Sequence, residues 1–531
     1  METQVSSAPD ASFTSVKTAK ALVAEQASNE IVFAVVGYVG SGTSEIATTL
    51  KTLLENPALP GGRYEAHILK ARKVIEDWAI NSGETVPVTP QNDLATTTRF
   101  QDLGDKMRAG GDYAIVARRL VDVIRLTRAA KLGISNPGED PVPPDGVRRA
   151  YILDSIRHPA EVELLRRVYQ DAFVLVGIVC EAKVRQNRIV NKYTNAGAGD
   201  AEKFMKRDAR DIEKHGQRVS DAFHMADFFV DNTTDQFLEG QEPNPDWDIS
   251  DNLSRLIRIM TVADVVRPTI SETAMHDAYG ASLQSACLSR QVGAALLDAT
   301  GNIVATGTNE VPRAGGGVYG ESFQSHQDDH RCVFQKVGKY CSNTREQNTI
   351  INKLIEDIPE LHALDNIRKN KLRLDLRESR VGDLLEFSRA VHAEMDAVFS
   401  AGRKGVTTIG TRLFVTTFPC HYCARGIVAA GIDEVQYIEP YPKSQALSLH
   451  PDAITINAKD WREPSKGGNK VLFRAFTGVA PRLYKRAFLK DRDLKDSTTG
   501  NFQIGSPEWG SPWHLHGVSY VELESALVKS K

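Results

Sequence analysis

Two short motifs hold the chemistry this chain can do. His392-Ala393-Glu394 supplies an imidazole and a carboxylate, and Pro419-Cys420-His421-Tyr422-Cys423 supplies two thiols. Together they read H-x-E, a gap of about two dozen residues, then P-C-x-x-C. One imidazole and two thiolates make three of the four ligands of a tetrahedral zinc, which leaves the fourth position open to water. Glu394 stands two residues from the histidine, and a carboxylate beside activated water is a proton shuttle. His392, Cys420 and Cys423 are thus the candidate metal ligands and Glu394 the candidate acid/base. The competing reading is a closed zinc knuckle, for which Cys420-x-x-Cys423 alone would qualify. A knuckle needs a second nearby Cys/His pair and has no use for the Glu.

The elements around the motifs must bring them together. Val391, Met395, Val398 and Phe399 recur at helical spacing, and Gly402 and Gly405 stop that helix. Leu413-Phe414-Val415-Thr416-Thr417 is a β-rich run ending at the proline. A second helix starts at the cysteines and ends near Gly431, before a strand at Val435-Gln436-Tyr437-Ile438. Both ligand sets fall near helix N-termini, where the dipole favours thiolate and hydroxide. This signature resembles that of the zinc nucleobase deaminases, in which the Glu is acid/base and not ligand.

Ahead of the H-x-E helix, residues 292–298 and 303–309 flank a turn and read as a β-hairpin. In cytidine-type deaminases, and most closely in deoxycytidylate deaminases, such a hairpin ends in a G-x-N loop against the sugar. Gly307-Thr308-Asn309 fits, which by resemblance makes Asn309 a substrate contact; from the residues alone it is equally a turn residue. Lys443, in Tyr441-Pro442-Lys443-Ser444, is either a substrate-phosphate ligand or a solvated surface lysine. His326, His330, Cys332 and Cys341 share one loop-like stretch and could hold a second, structural zinc, against the plain reading of loop histidines and free thiols. Residues 344–385 are helical and highly charged, an insertion that covers the site or meets a partner.

Length and composition bound the rest. A chain of 531 residues is expected to form two or three domains. The formal charge is −3, with both signs mixed and no basic stripe, which weighs against a polynucleotide as main ligand. Six cysteines are too few and scattered for a disulfide scaffold in a chain of this size. There is no apolar signal core and no membrane-length apolar run, so a cytoplasmic protein without membrane contact is the expectation.

Residues 1–28 read as a flexible lead-in. Ile31-Val32-Phe33-Ala34-Val35-Val36 is a buried parallel strand feeding Gly37-Tyr38-Val39-Gly40-Ser41-Gly42-Thr43-Ser44 and then a helix. The P-loop frame G-x-x-x-x-G-x-S is intact, and Gly37, Gly40, Ser41, Gly42, Thr43 and Ser44 are candidate nucleotide-binding residues. Thr43 stands where the motif wants Lys, which weakens transfer chemistry more than phosphate docking. Ser44 remains available to Mg2+. Further strands fall at 150–154, ending in Asp154, at 173–179 and at 226–232. This order resembles the nucleoside-monophosphate and dephospho-coenzyme-A kinases, in which residues such as Arg185, Arg188, Arg207 and Arg210 would form a lid; a solvated helix face is the alternative.

The expected architecture is therefore α/β. An N-terminal P-loop NMP-kinase-like parallel-sheet domain (29–240) joins, through a linker and helix (241–265), a cytidine-deaminase-like α/β/α domain (266–445, insertion at about 320–385). A C-terminal extension (446–531) follows. The combination of His392-Ala393-Glu394, Pro419-Cys420-His421-Tyr422-Cys423, Tyr441-Pro442-Lys443-Ser444, the Lys-less P-loop and a Gly-Val-Ala-Pro-Arg tail resembles the bacterial anti-phage deoxycytidine-nucleotide deaminases. That resemblance implies zinc-dependent deamination of dCTP, dCMP or both, depletion of dCTP during infection, self-association, and restraint by an inhibitor, in some systems a small RNA. A polynucleotide cytosine deaminase, a bifunctional kinase–deaminase, and a P-loop signalling module with a zinc scaffold are the alternatives.

Overall fold

The computed structural model describes residues 28–59, 62–87, 93–193, 196–209, 211, 213–235, 242, 244, 247–261, 264–320, 329–334, 338–441, 443–490, 492–505, 521 and 524. The chain divides into two compact units, one of residues 1–225, 232–266 and 489–531, the other of 226–231 and 267–488.

In the first unit β1 (Glu30–Gly37) is buried along its whole length, as expected of a strand covered on both faces. β2 (Glu65–Lys70), β3 (Arg149–Asp154) and β4 (Phe173–Val179) run parallel with it in the order β2-β3-β1-β4. β1, β3 and β4 lie where apolar runs were read. β2 went unread because Glu-Ala-His-Ile-Leu-Lys is mixed and only half-buried. The Gly-rich loop leads from β1 into α1 (Thr43–Leu54), which turns Ile46, Ala47, Leu50 and Leu54 to the core. Next come α2 (Ala71–Asn81), α3 (Leu94–Arg108) and α4 (Ile115–Lys131), with Asp93 capping α3 through Thr96 N. α5 (Pro159–Tyr169) lies between β3 and β4, and α6 (Ala182–Lys192) and α7 (Ala198–Ala209) follow β4. A guanidinium deep in this unit is neutralised on two sides: Arg128 meets Glu30 Oε2 at 2.6 Å and Glu524 Oε2 at 2.8 Å. The strand expected at 226–232 forms as Phe228–Asp231, pairing antiparallel with Gly478–Val479.

The second unit opens with α8 (Ile270–Ser282), started by a capping box of Thr269 and Glu272. The expected hairpin follows as β5 (Gly293–Leu297) and β6 (Ile303–Thr308). Within the expected insertion lie α9 (Ser342–Asp357) and α10 (Asn366–Glu378), the latter without a buried residue. The motif region gives α11 (Ala393–Arg403), β7 (Arg412–Thr417), α12 (His421–Ala429) and β8 (Glu434–Glu439), the helix–strand–helix–strand order read from sequence. Ending this domain near residue 445 stops short: β9 (Ile454–Thr455) and β10 (Val471–Ala475) continue the same sheet, in the order β6-β5-β7-β8-β10-β9. Their side chains Ile454, Val471 and Phe473 belong to the unit's core. α13 (Pro481–Phe488) closes the unit.

The face that α11 buries also differs from the periodic reading. Ala393, Ala397 and Ala401 are fully buried, Phe399 is half-exposed, and Val391 precedes the helix in a bridge with Glu310. Small side chains bring this helix close to the sheet. The approach is tightest at Gly307 of β6, where a Cβ would intrude on the Ala393 carbonyl and lie 3.0 Å from Ala397 Cα. No helix among the described residues is long and apolar enough to cross a membrane.

Candidate active site

His392 and Cys420 are the residues immediately before α11 and α12, so both helix N-termini deliver their ligand at the same place. His392 Nδ1 lies 3.3 Å from Cys420 Sγ and 3.3 Å from Cys423 Sγ, and the three form a convergent metal-ligating set. Around a tetrahedral zinc, ligands at about 2.3 Å (S) and 2.0–2.1 Å (N) stand roughly 3.5 Å apart, so the donors fit this ion in type and spacing. Cys420 and Cys423 are buried.

The electrostatics are those of a cation trap. Hydrogen bonds from Cys423 and His392 bring the Cys420 thiol down to about 4, and the hydrogen bond to Cys420 pushes His392 up to about 9. Cys423, bonded to Cys420 and buried, goes well up. Thiolate, imidazolium and thiol crowd into one spot where a dication would replace the protons. Glu394 is 4 % exposed, and burial pushes its carboxyl up to about 6, within reach of proton exchange near neutrality.

His392, Glu394 and Cys420 open onto a cavity of about 220 Å³. Thr417 and Phe418, just ahead of the cysteine motif, also line it. Phe418 stands edge-on to Tyr437 at 4.8 Å and to Phe473 at 5.7 Å. Asn343, Leu385 and Ser388 also line it, so the insertion supplies part of the wall. Sequence reasoning missed Arg290, which lines the cavity, pairs with Glu439 at 2.8 Å and stacks at 5.4 Å from the Tyr441 ring. No motif marks it, because its place depends on the hairpin bringing residue 290 beside β8.

The other expected site residues divide. Asn309 lines the cavity, but both ends of its amide are occupied: Oδ1 accepts from Val292 N at 2.7 Å and Nδ2 donates to Arg290 O at 2.8 Å. It holds the Arg290–Val292 loop in place. Lys443 pairs with Asp383 at 2.6 Å, tying the 440s loop to the insertion. Neighbouring Ser444 donates to Pro419 O at 2.8 Å and so braces the cysteine turn. Of the proposed second metal set, His326 lies outside the described residues. His330, Cys332 and Cys341 do not converge: His330 stacks edge-on to Tyr319 at 5.4 Å and Cys341 Sγ lies 3.5 Å from Ser289 Oγ. Among the described residues, the His392 cluster is the one that could hold a metal ion.

In the first unit the Gly-rich loop borders a separate cavity of about 740 Å³. Gly40 (φ 80°) and Gly42 (φ 86°) take left-handed backbone there, and Gly40 packs against the Arg185 backbone. Gly37 closes β1, its carbonyl accepting from Arg157 at 2.9 Å. Asp208, fully buried, accepts from Val39 N at 2.8 Å and pairs with Arg157 at 2.9 Å, while Asn232 donates to Ser41 O at 2.9 Å. Gly40, Gly42, Thr43 and Ser44 line the cavity; Ser41 is buried behind it. Of the expected lid arginines, Arg188 reaches the cavity, whereas Arg207 is held by Asp102 and Asp105. Arg185 packs over the Tyr38 ring at 4.9 Å, and Arg210 lies outside the described residues.

Residues 268–439 match the family described as cytidine and deoxycytidylate deaminase zinc-binding region. The deoxycytidylate deaminase of Enterobacteria phage T4 is 29% identical over 178 residues, 33% of this chain and 80% of the phage protein. The ComE operon protein 2 of Bacillus subtilis is 43% identical over 63 residues, 11% of this chain and 33% of that protein. A crystal structure of the dCMP deaminase of cyanophage S-TIM5 with dCMP and dUMP superposes with a TM-score of 0.22 at 18% identity, covering 40% of this chain and 99% of that one. The His392/Cys420/Cys423 set thus lies inside a zinc-binding domain of the cytidine and deoxycytidylate deaminase type, an enzyme domain for hydrolytic nucleotide deamination.

Proposed function

We propose that this protein deaminates free deoxycytidine nucleotides, dCTP to dUTP and dCMP to dUMP, and that its first unit binds a nucleotide that governs the reaction. One observation carries the first part: a buried carboxylate, Glu394, shares one small cavity with His392 and Cys420 of the three-ligand zinc set and with Arg290. When bound at His392, Cys420 and Cys423, zinc supplies the Lewis acidity that activates water. Glu394 takes one proton from the attacking water and gives it to N3, then takes the second from the C4 hydroxyl of the tetrahedral carbon and gives it to the departing amine, leaving uracil and ammonia. Thr417 and Phe418 hold the cytosine edge, their backbone accepting from the leaving amino group. Arg290 offers its charge to the phosphates.

A single nucleotide suits the site better than a strand. The insertion supplies part of the cavity wall, and the sequence has net charge −3 with no basic stripe, whereas a polynucleotide substrate would want a basic groove. Depletion of dCTP as an anti-phage defence follows from the resemblance of the motifs and is part of this proposal, as are self-association and restraint by an inhibitor. The test is to incubate purified protein with dCMP, dCTP and a cytosine oligonucleotide and to follow uracil. Turnover of the oligonucleotide alone would sink the reading. Phosphoryl transfer on adding ATP would instead favour the bifunctional kinase–deaminase.

A further inference from the structure

We propose that the first unit's cavity binds a nucleoside phosphate without a divalent cation, the ammonium of Lys70 standing where such sites hold the metal. The proposal rests on reading the Gly-rich loop as a phosphate cradle and departs from the Mg2+ expected at Ser44.

In magnesium-dependent P-loops the hydroxyl closing the motif and a strand-end carboxylate hold the ion. Their counterparts here are Ser44 and Asp154, with Ser44 Oγ donating to Asp154 Oδ2 at 2.7 Å. Both already have a cation. Lys70 Nζ lies 3.2 Å from Ser44 Oγ and forms a close ion pair with Asp154. The arrangement is set by the sheet: Lys70 and Asp154 are register partners in the adjacent parallel strands β2 and β3. With Thr43 at the motif's lysine position the loop has no point charge of its own, and the neighbouring strand supplies one from a different direction. Lys70 is half-exposed and lines the cavity, so a phosphate docked on the loop's N–H groups can share its ammonium with Asp154.

The lining of the same cavity also calls for a ligand with a polar edge. Gln101, 6 % exposed, donates from Nε2 to Gln217 Oε1 at 3.1 Å, while its Oε1 is buried with no hydrogen-bond partner among the described residues. A buried amide oxygen left unpaired is costly and is satisfied by an N–H donor such as a nucleobase carries. Beside it Phe100 lies under Arg72, at 4.0 Å from the ring centroid, and Tyr193 and Phe204 add aromatic wall. A Gly-rich loop, an orphan amide and aromatic rings lining one cavity of about 740 Å³ suit a nucleoside phosphate.

The test is calorimetric titration of the full-length zinc protein with ATP, GTP and dTTP, and with inorganic triphosphate as base-free probe, in magnesium-free buffer and in millimolar magnesium. Cytosine nucleotides are omitted because the deaminase site would take them. The expected result is nucleotide binding within about threefold in the two buffers. Lys70→Met should lose at least tenfold in affinity without magnesium and recover part of it with magnesium, as Ser44 and Asp154 become free to hold the ion. Gln101→Leu should cut the preference for the nucleotide over inorganic triphosphate. Unchanged melting of Lys70→Met would confirm that it folds, since its half-exposed stem is preserved. Wild-type binding that requires magnesium, or undiminished binding by Lys70→Met, overturns the role of Lys70 and leaves the cradle standing. No binding of any probe in either buffer overturns the cradle itself.

Discussion

Gly307→Ala is the substitution that most directly tests how the site is positioned. Gly307 has ordinary strand geometry, so added backbone strain is not at issue; space is. Its new methyl would meet the Ala393 carbonyl and the Ala397 nitrogen and stand 3.0 Å from Ala397 Cα, where carbon atoms prefer roughly 3.5–4.0 Å. None of these atoms belongs to a flexible side chain, so relief requires α11 to back away from β6 by roughly 1 Å. His392 and Glu394 flank Ala393 at the start of that helix and would move with it. Overpacking of this kind costs about 1–3 kcal/mol of stability. A 1 Å displacement of catalytic groups costs on the order of 10²-fold in rate. The assay is kcat on dCMP together with zinc content and the thermal melting of the purified protein. Expected are a fall in kcat of about two orders of magnitude and melting lowered by several degrees. Gly402→Ala, on the same helix with open space around its Cβ position, should leave turnover unchanged and hold or raise stability by up to about 1 kcal/mol. If Gly307→Ala retains full turnover and melting, close packing of β6 on α11 is not what positions the ligands.

Other perturbations separate the remaining roles. Glu394→Ala should keep zinc by metal analysis yet lose turnover by roughly 10²–10⁴-fold, whereas Cys420→Ala should lose the metal as well. Undiminished dCTP deamination by Glu394→Ala would refute the acid/base assignment. Arg290→Met should raise KM for dCMP and dCTP while leaving the rate on unphosphorylated deoxycytidine nearly unchanged; equal losses on both would make Arg290 a structural member of the Glu439 and Tyr441 contacts instead. In the first unit, Glu524→Ala removes one of the two carboxylates on the fully buried Arg128. With Glu30 still paired to Arg128, the loss should fall below the roughly 3–5 kcal/mol of stranding a buried charge but still lower the melting temperature, and a melting curve that matches wild type would show that Glu30 alone suffices.

What could be read in the sequence follows the range of each physical cause. The metal set was legible because chemistry fixes both residue type and local spacing: a thiol pair one helical turn apart, and a carboxylate two residues from an imidazole. The strands β1, β3 and β4 were legible because burial on both faces leaves an unbroken apolar run. Groups whose role comes from another element were not. Arg290 gains its place from the hairpin, and Asn309, which the sequence leaves as either a substrate contact or a turn residue, clamps through its amide the loop that presents Arg290. Lys70 is the sharpest case. A motif is a statement about neighbours along the chain, and by that measure the first unit lacks its cation, because Thr43 is not a lysine. A parallel sheet makes neighbours across the chain, and its register sets Lys70 of one strand beside Asp154 of the next. The charge missing from the loop is thus present in the fold, at the position of the ion and not at that of the motif lysine. On the proposal made above, Thr43 in place of the motif lysine would mark a change of chemistry at the site and not the loss of the site. A domain read as a degenerate kinase would then bind phosphate without the metal geometry that transfer requires.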